Sequence, residues 1–374
     1  MDVNTPGWLS EVVASHILSI PPYVPGKPVE ELERELGVER AVKMASNENP
    51  LGPSPRALAA VQQHLRASHV YPESSAPRLR TALAERYGLS PDSVILGNGS
   101  DEIMQFAAHV FIRPGDEAVM GANAFSMYRI VVEAFGGIPV QVPLKRHASD
   151  LKAMAGAVTE RTRIVFLAVP NSPTGTIVSR AEFEGFLGSL PRKGLLLVVD
   201  EAYREYVRDP DCPIGLDYLN HEVPVLVLRT FSKAYGLAGM RVGYGMAREW
   251  IVELLNRVRP PFNVNSLAQT AALAALDDEE HVRRTLTAAR EGMEYLVGEL
   301  KGLGFEVIPS EANFVAFCMN RDARPVYEAL LREGVIVRHL GSFGMPECIR
   351  VTIGTHSENE RFVHALKRVV PCTA

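Results

Sequence analysis

The sequence predicts an α/β fold in which a largely parallel sheet is covered by helices on both faces and a smaller α/β lobe follows. Two observations lead to this expectation. Short, continuously apolar runs alternate with helical stretches between residues 93 and 246, which is typical of strands buried on both faces. The prolines Pro260–Pro261 then interrupt the chain before two long helical segments and a tail in which strands and helices alternate again.

The predicted strands are short runs rich in aliphatic residues and bounded by turn-forming residues. In the first part of the chain they cover Ser93–Leu96, Glu117–Met120, Ile164–Val169, Leu195–Val199, Val225–Leu228 and Val242–Met246. In the tail they cover Ala312–Cys318, Val335–Arg338 and Cys348–Ile353.

Predicted helices fill most of the intervals. Ser54 followed by Pro55 forms an N-cap with proline at the first helical position, which begins a helix that extends to about Arg66. The other predicted helices cover Pro77–Tyr87, Asp101–Phe111, Met127–Phe135, Arg180–Leu187, Ser266–Leu276, Glu279–Leu303, Arg324–Glu333 and Glu358–Val369. A short amphipathic helix and an extended, proline-rich arm precede them.

The bulk composition is that of a globular protein. The chain has 374 residues, 47% of them hydrophobic, and its 39 basic and 44 acidic residues give a formal charge of −5. No apolar run approaches the roughly 20 residues of a membrane span, and the N-terminus lacks the basic start and apolar core of a secretion signal. We therefore expect a cytoplasmic protein without a membrane or nucleic-acid partner.

The cysteines are scattered along the chain at Cys212, Cys318, Cys348 and Cys372. They form no C-x-x-C pair, and no nearby histidines have the spacing of metal ligands. We expect reduced thiols and no metal site.

Four polar clusters directly follow predicted strands. In chain order they are GNGSDE, VPNSPTG, DEAY and RTFSKAYG. In parallel sheets, ligands bind beyond the carboxyl ends of the strands. The sequence therefore predicts that these four clusters form one site.

Lys233 lies in the last of these clusters, in a mostly apolar stretch. A lysine next to desolvating neighbours and other cations loses proton affinity and can attack a carbonyl carbon. Thr230 and Ser232 precede it and Arg241 follows, and side chains of these types bind phosphate. Taken alone, a lysine in a loop is more often a solvated surface residue, so this interpretation depends on the other clusters.

Asp200 ends the aliphatic run LLLVVD. A carboxylate there is costly unless it is paired, so Asp200 either is a helix cap or part of a surface turn, or it pairs with a buried cation such as a protonated pyridine nitrogen. Tyr203 follows it closely enough to face the same ligand. The helix that begins near Ser100, after a glycine-rich turn, offers free backbone amides to a phosphate.

Two other groups of residues have both a structural and a functional interpretation. Asn171, Ser172 and Thr174 lie between two prolines in a tight loop, and their side chains can also bond a ligand oxygen. Phe125 either belongs to the core or stacks on a flat cofactor ring.

Taken together, these residues resemble the fold-type I pyridoxal-phosphate aminotransferases across nearly the whole chain. The strings PPYVPGKP, SNENPLGPSP, GNGSDE, RTFSKAYGLAGMRVGY, RPPFNVN, ANFV and IRVTIGT are similar to those of histidinol-phosphate aminotransferases. This resemblance implies a large domain with a mostly parallel seven-stranded sheet sandwiched by helices, plus a smaller α/β domain. We expect an N-terminal arm with part of the small domain at 1–50, the large cofactor-binding domain at 51–262 and the small C-terminal domain at 263–374.

The resemblance also implies a role for each site residue. Lys233 would carry pyridoxal 5'-phosphate as a Schiff base and move the reacting proton. Asp200 would pair with the ring nitrogen, Tyr203 would bond the ring's 3-oxygen, and Phe125 would stack on the ring. The phosphate would be held by Ser100, the Asp101 backbone, Thr230, Ser232 and Arg241, while Tyr71 would reach the cofactor phosphate of the other subunit in a homodimer.

One position departs from the family's pattern. Relatives usually have Asn-Pro-Thr-Gly where this chain has Ser172 before Pro173, and that asparagine bonds the 3-oxygen. Here either Ser172 makes the contact through water or the neighbouring Asn171 compensates.

For the substrate, the resemblance points to Arg338 and Arg350, whose guanidinium groups match carboxylate and phosphate oxygens, with Tyr23 and Asn47 at the same mouth. Each arginine also has a structural interpretation as a surface ion pair. The implied reaction converts L-histidinol phosphate and 2-oxoglutarate to imidazole-acetol phosphate and L-glutamate in histidine biosynthesis. The alternatives are an aromatic amino acid aminotransferase, a phosphothreonine decarboxylase of the same fold, and a non-catalytic cofactor-binding regulatory protein.

Overall fold

The computed structural model describes residues 8–22 and 26–370. The strands are β1 Val42–Lys43, β2 Val94–Gly97, β3 Glu117–Gly121, β4 Ile138–Val142, β5 Thr162–Ala168, β6 Leu196–Asp200, β7 Val225–Thr230, β8 Gly243–Ala247, β9 Glu306–Ile308, β10 Phe314–Cys318, β11 Val335–Ile336, β12 Arg338–His339 and β13 Cys348–Thr352. They form sheets of seven, four and two strands.

The helices lie between these strands in an order that alternates with them through most of the chain. They are α1 Leu9–Val12, α2 Ser15–Ser19, α3 Val29–Leu36, α4 Pro55–His64, α5 Pro77–Tyr87, α6 Ser100–Phe111, α7 Met127–Ala134, α8 Leu151–Gly156, α9 Arg180–Ser189, α10 Glu249–Asn256, α11 Ser266–Leu276, α12 Glu279–Gly302, α13 Arg324–Arg332 and α14 His356–Val369. Ser54 caps α4 as predicted, because its side chain accepts a hydrogen bond from the Ala57 amide. Among the described residues, no helix has the length and apolar character needed to cross a membrane.

The seven-stranded sheet has the order β2-β8-β7-β6-β5-β3-β4. Only β8 pairs antiparallel with its neighbours, so the predicted, largely parallel sheet is confirmed. Along β6, Leu197 and Val199 belong to one apolar cluster, while Leu196 and Val198 belong to another on the opposite face. This alternation explains why the strand reads as continuously apolar, because both faces are buried.

The four-stranded sheet has the order β12-β13-β10-β9, and all its strand pairs are antiparallel. The predicted strand Val335–Arg338 is divided in two by the structure. Its first half, β11, pairs with β1, and its second half, β12, pairs with β13. The chain therefore passes from the two-stranded sheet to the four-stranded sheet at Val337.

Several elements were not predicted from the sequence, including β1, β9, α3 and α10. The run IPVQV forms β4 at the edge of the large sheet, where Ile138 and Gln141 are exposed. An edge strand tolerates proline and polar residues, so it lacks the continuous apolar signal of the inner strands. The short helix α8, which Asp150 caps, was also not predicted.

The expectation of reduced thiols is wrong for one pair of cysteines. Cys318 and Cys348 lie opposite each other in the register of β10 and β13, and the structure joins them in a disulfide. The two cysteines are 30 residues apart in sequence, but their Cα atoms are only 4.1 Å apart across the strand pair. The sequence alone therefore did not indicate that they are neighbours. Cys212 is a free, buried thiol, and Cys372 lies outside the described residues.

A buried ion pair joins the carboxyl ends of the neighbouring strands β6 and β7. Arg229 of β7 donates through Nε and Nη2 to Glu201 Oε2, at 2.9 and 2.7 Å, and both side chains are buried. Glu201 Oε1 accepts from the Gly215 amide at 2.6 Å. Burial lowers the pKa of Arg229, but the charge of Glu201 and the neighbouring Tyr244, Tyr87 and Glu205 together raise it, so the net shift is upward and Arg229 stays charged.

We expect Glu201→Ala to destabilise the protein by about 3–5 kcal/mol, since Arg229 would remain buried without its carboxylate. Urea unfolding of the two proteins measures this difference. Glu222→Ala is the matched control, because Glu222 pairs with Arg192 at 2.7 Å on the exposed surface, and such pairs contribute at most about 1 kcal/mol. Equal losses in the two variants would contradict the prediction.

Candidate active site

A cavity of about 280 Å³ lies at the carboxyl ends of the parallel strands. The four clusters that follow strands in the sequence all contribute to its wall, together with residues of the four-stranded sheet. The wall residues used below are Ser46, Asn47, Gly99, Ser100, Asp101, Phe125, Tyr128, Ser172, Asp200, Tyr203, Thr230, Ser232, Lys233, Arg241, Arg338, Phe343 and Arg350. The predicted convergence of the clusters on one site is therefore present in the structure.

One end of the cavity is built to receive an anion. Helix α6 begins at Ser100, so its first backbone amides face this end. Arg241 lies beside it, with Nη1 3.5 Å from Ser232 Oγ and Nη2 3.4 Å from Asp101 Oδ2. The Ser232 amide donates to Thr230 Oγ1 at 3.1 Å, which shapes the adjoining turn.

Two glycines keep this end open. A Cβ on Gly99, whose φ is +81°, would lie 2.5 Å from Arg241 Nη2. A Cβ on Gly243 would lie 2.4 Å from the Ser100 nitrogen. Side chains at these positions would therefore displace the arginine or the start of the helix from the anion end.

Asp200 forms the floor of the cavity and is buried. Its Oδ2 accepts from Tyr128 Oη at 2.6 Å, and its Oδ1 accepts from the Ala202 amide at 3.1 Å. Burial raises the pKa of Asp200 to about 6, against the opposing effect of these two hydrogen bonds. A cation beside such a buried carboxyl group stabilises its ionised form.

Tyr128 is a site residue that sequence reasoning missed. It lies in the first turn of α7, fully buried, with its ring stacked on Phe166 at 4.8 Å and edge-on to Phe125 at 5.7 Å. Burial and the charge of Asp200 raise its pKa well above 10, so it acts as a donor. In a sequence, an aromatic residue at helical spacing indicates a core residue. Tyr128 is part of the core and also lines the cavity.

Lys233 and Tyr203 also line the cavity. Lys233 Nζ donates to the Ser46 carbonyl at 3.1 Å and lies 5.7 Å from the centre of the Tyr203 ring. The Tyr203 oxygen accepts from Asn47 Nδ2 at 2.8 Å. The amine and the phenol therefore reach the cavity from neighbouring, fixed positions.

The far end of the cavity carries two arginines from the four-stranded sheet. Arg338 and Arg350 are direct partners in the register of β12 and β13, so their side chains lie on the same face. Arg350 is buried, with Nη1 3.3 Å from Ser172 Oγ and Nη2 donating to the Ala45 carbonyl at 2.7 Å. The Arg338 guanidinium lies 5.6 Å from the centre of the Phe343 ring.

Some predicted site residues lie elsewhere. Asn171 does not line the cavity, because its Nδ2 donates to the Asn123 carbonyl and to Thr174 Oγ1 within the loop. Of the two candidates, Ser172 is the one that lines the cavity, together with Pro170 of the same loop. Tyr71 is 80% exposed and stacks on Phe262 away from the cavity. Tyr23 lies outside the described residues.

The arrangement fits pyridoxal phosphate. The helix start, the glycine cradle and Arg241 suit its phosphate, while Asp200 suits a protonated ring nitrogen. Phe125 lies where a ring wall is needed, and Lys233 supplies the amine that an aldehyde requires. The anion end, the buried carboxyl and the amine belong to one continuous wall, so one molecule can engage all three.

Comparisons with known proteins agree with this geometry. The family model described as aminotransferase class I and II matches residues 39–366. A histidinol-phosphate aminotransferase of Moorella thermoacetica is 49% identical over 95% of this chain and 92% of its own length. A second, from Carboxydothermus hydrogenoformans, is 48% identical over 96% of this chain and 99% of its own length.

Solved structures give the same result. The crystal structure of histidinol-phosphate aminotransferase from Sinorhizobium meliloti in complex with pyridoxal-5'-phosphate matches 96% of this chain and 97% of its own, with a TM-score of 0.89 at 29% identity. The family match, the two relatives and this structure each span most of the chain. The chain therefore belongs to the class I and II aminotransferases, in the branch that contains the histidinol-phosphate aminotransferases.

Proposed function

We propose that this protein is a pyridoxal-phosphate-dependent aminotransferase that takes the amino group of L-histidinol phosphate and passes it to 2-oxoglutarate in histidine biosynthesis. The products would be imidazole-acetol phosphate and L-glutamate. The observation that carries the proposal is a single cavity with an anion cradle and Arg241 at one end, two arginines at the other, and Lys233 with Asp200 between them. The relatives named histidinol-phosphate aminotransferase support the choice of substrate.

The cradle end is the position that we propose for the cofactor's phosphate. We place it against the first amides of α6, the hydroxyls of Ser100, Thr230 and Ser232, and the Arg241 guanidinium. Charge-assisted hydrogen bonds of this kind are the strong ones in proteins. They would hold the cofactor while its other end reacts.

Asp200, Tyr203 and Phe125 would orient the ring. Asp200, kept in place by Tyr128, would hold a proton on the ring nitrogen, and Tyr203 would donate to the 3-oxygen. Bound there, pyridoxal phosphate acts as an electron sink that stabilises negative charge at the substrate's α-carbon. Phe125 would close the ring's face against water.

Lys233 would attach the cofactor and then act as the acid–base group. Its amine would take the proton from the substrate's α-carbon and deliver it to the neighbouring cofactor carbon. The Ser46 carbonyl, which accepts from Nζ at 3.1 Å, would keep the amine aimed into the cavity.

Arg338 and Arg350 would bind the anionic group that both substrates carry close to the reacting carbon. Histidinol phosphate has a phosphate and no carboxylate, whereas 2-oxoglutarate and glutamate have two carboxylates. Guanidinium groups on one face of a strand pair can bind phosphate oxygens as well as carboxylate oxygens. One pair of arginines thus accounts for two chemically different substrates.

The test is a half-reaction screen of amino donors with the purified holoenzyme, followed at the cofactor's visible band. We expect histidinol phosphate to be the best donor and L-histidinol, its matched analogue without the phosphate, to lose about 10²-fold or more in kcat/KM, because two charge-assisted contacts disappear. Phenylalanine or tyrosine as better donors would instead identify an aromatic amino acid aminotransferase. No reaction with any donor would favour a regulatory protein.

We also propose a cytoplasmic homodimer. Tyr71 and its stacking partner Phe262 are exposed, as are the apolar residues Val70, Leu65 and Leu58, which precede Tyr71 in the chain. Exposed apolar patches mark interaction surfaces, and the proposed dimer would bring Tyr71 to the cofactor phosphate of the other subunit. Light scattering should give twice the chain's 41.0 kDa, and Tyr71→Ala should weaken cofactor retention; a monomeric, fully active enzyme would contradict this.

A further inference from the structure

Asn47 has an unusual backbone and unusually many hydrogen bonds. It is buried, with 2% of its surface exposed, and its φ of 56° lies in the left-handed region that non-glycine residues rarely adopt. Such a conformation persists only where the surroundings enforce it, and it often marks a functional position. The preceding residue, Ser46, accepts the hydrogen bond from Lys233.

The four-stranded sheet and its adjoining loop hold Asn47 from one side. The Asn47 amide donates to Thr352 Oγ1 at 2.9 Å, and the Thr352 hydroxyl donates to Asn47 Oδ1 at 3.1 Å. Asn313, just before β10, donates from Nδ2 to the Asn47 carbonyl at 3.1 Å. All three residues are buried, so these bonds are shielded from water.

The bonds to Thr352 decide which way the Asn47 side chain faces. The Thr352 hydroxyl accepts from the Asn47 backbone amide and donates to Asn47 Oδ1, and with Oδ1 bound in this way the NH₂ end of the side chain faces Tyr203. An NH₂ group only donates. The Tyr203 oxygen must therefore accept this bond, at 2.8 Å, and its own proton is left for another partner.

The Tyr203 ring has little freedom to turn away. It packs edge-on against Phe314 at 5.3 Å between the ring centres and is only 7% exposed. The phenol also lines the cavity next to Lys233. A proton that cannot be given to Asn47 is thus available to a group inside the cavity.

We propose that Asn47 is a positioning residue: locked by Thr352 and Asn313, it donates to the Tyr203 oxygen and so directs the phenol's proton into the cavity. This inference rests on the proposed function, in which Tyr203 donates to the cofactor's 3-oxygen. It assigns Asn47 a part in the reaction other than contact with substrate. It also links the position of the four-stranded sheet to the strength of the Tyr203 contact.

The test measures the pH midpoint of the holoenzyme's visible absorption change, which needs no substrate. A donor to the negatively charged 3-oxygen favours the deprotonated form, so weakening that donor raises the midpoint. We expect Asn47→Gly, which accepts the same φ without strain, to raise it by about one pH unit, or about tenfold in the proton equilibrium. Arg40→Gly, at an exposed residue with a φ of 55°, is the matched control and should leave the midpoint unchanged.

A second pair of variants tests the same link without changing Asn47. Thr352→Val removes the hydroxyl that orients the amide and should also raise the midpoint, while Thr352→Ser keeps the hydroxyl and should restore the wild-type value. Tyr203→Phe should raise the midpoint at least as much as Asn47→Gly. In the Tyr203→Phe background, Asn47→Gly should add nothing further.

Each outcome decides the proposal. An unchanged midpoint in Asn47→Gly, with a raised one in Tyr203→Phe, overturns the role of Asn47 and leaves that of Tyr203 intact. A shift of the same size in the Tyr203→Phe background shows that Asn47 acts by another route and also overturns it. If Tyr203→Phe itself has no effect, the proposed contact of Tyr203 with the cofactor fails, and the role of Asn47 fails with it.

Discussion

Lys233→Ala is expected to abolish transamination while leaving the fold intact. The variant loses both the point of attachment for the cofactor and the group proposed to move the reacting proton. General acid–base catalysis alone contributes about 10²- to 10⁴-fold, so kcat should fall by at least this factor. The measurement is the rate of the half-reaction with histidinol phosphate.

The environment of Lys233 explains why the fold should survive. In the structure its amine makes one hydrogen bond to a backbone carbonyl, that of Ser46. Removing this amine creates no buried unpaired charge, so thermal unfolding of the variant should stay close to wild type. Lys152→Ala, at an exposed position of α8, controls for the loss of a lysine; retention of full activity by Lys233→Ala would refute the assignment.

Asp200→Asn is expected to lower kcat by about 10²- to 10³-fold. The substitution keeps the side chain's shape but removes the charge that would hold a proton on the ring nitrogen. Losing one member of a buried charge pair costs about 3–5 kcal/mol, which corresponds to a loss of this order in rate. Asp209→Asn, at an exposed position, is the control and should react at the wild-type rate.

Although Asp200→Asn should lower kcat, it should make the cofactor-free protein more stable relative to wild type as the pH rises. Burial raises the pKa of Asp200 from 3.8 to about 6. The folded protein therefore binds the proton more tightly than the unfolded chain, and wild-type stability falls as the pH rises from about 4 to about 6. Asp200→Asn lacks this loss, so its stability relative to wild type should increase by up to about 3 kcal/mol across that interval, as measured by urea unfolding. A constant difference would show that Asp200 does not titrate as expected.

The sequence identified the parts of the site that follow buried strands. Asp200, Tyr203, Lys233 and the start of α6 each stand after an apolar run, and the ends of parallel strands meet at one edge of a sheet. The same signal predicted the strands themselves, because continuous apolar runs are confined to strands buried on both faces.

Other features depend on contacts between distant segments, and no local pattern reports them. Tyr128 has the spacing of a core residue, and its bond to Asp200 appears only when the fold brings the start of α7 to the end of β6. Cys318 and Cys348 become partners through the register of β10 and β13. The choice between Asn171 and Ser172 depends on where each side chain points in the folded loop, which the residue types alone leave open.

The division into domains at 1–50, 51–262 and 263–374 remains a prediction. The structure has a bearing on its first boundary through β1, which pairs with β11 in the C-terminal part of the chain. Arg350 and Thr352 also contact the segment Ala45–Asn47. These contacts are in keeping with the expectation that part of the first 50 residues belongs with the small domain.

The central claim is that the strand-end residues form one pyridoxal-phosphate site with Lys233 as its point of attachment. Borohydride reduction of the holoenzyme, followed by proteolysis and mass spectrometry of the peptides, tests it directly. We expect the cofactor's mass to be added to the peptide that contains Lys233, in a wild-type protein that is yellow before reduction. A reduced cofactor on any other lysine, or no covalent adduct at all, would contradict it.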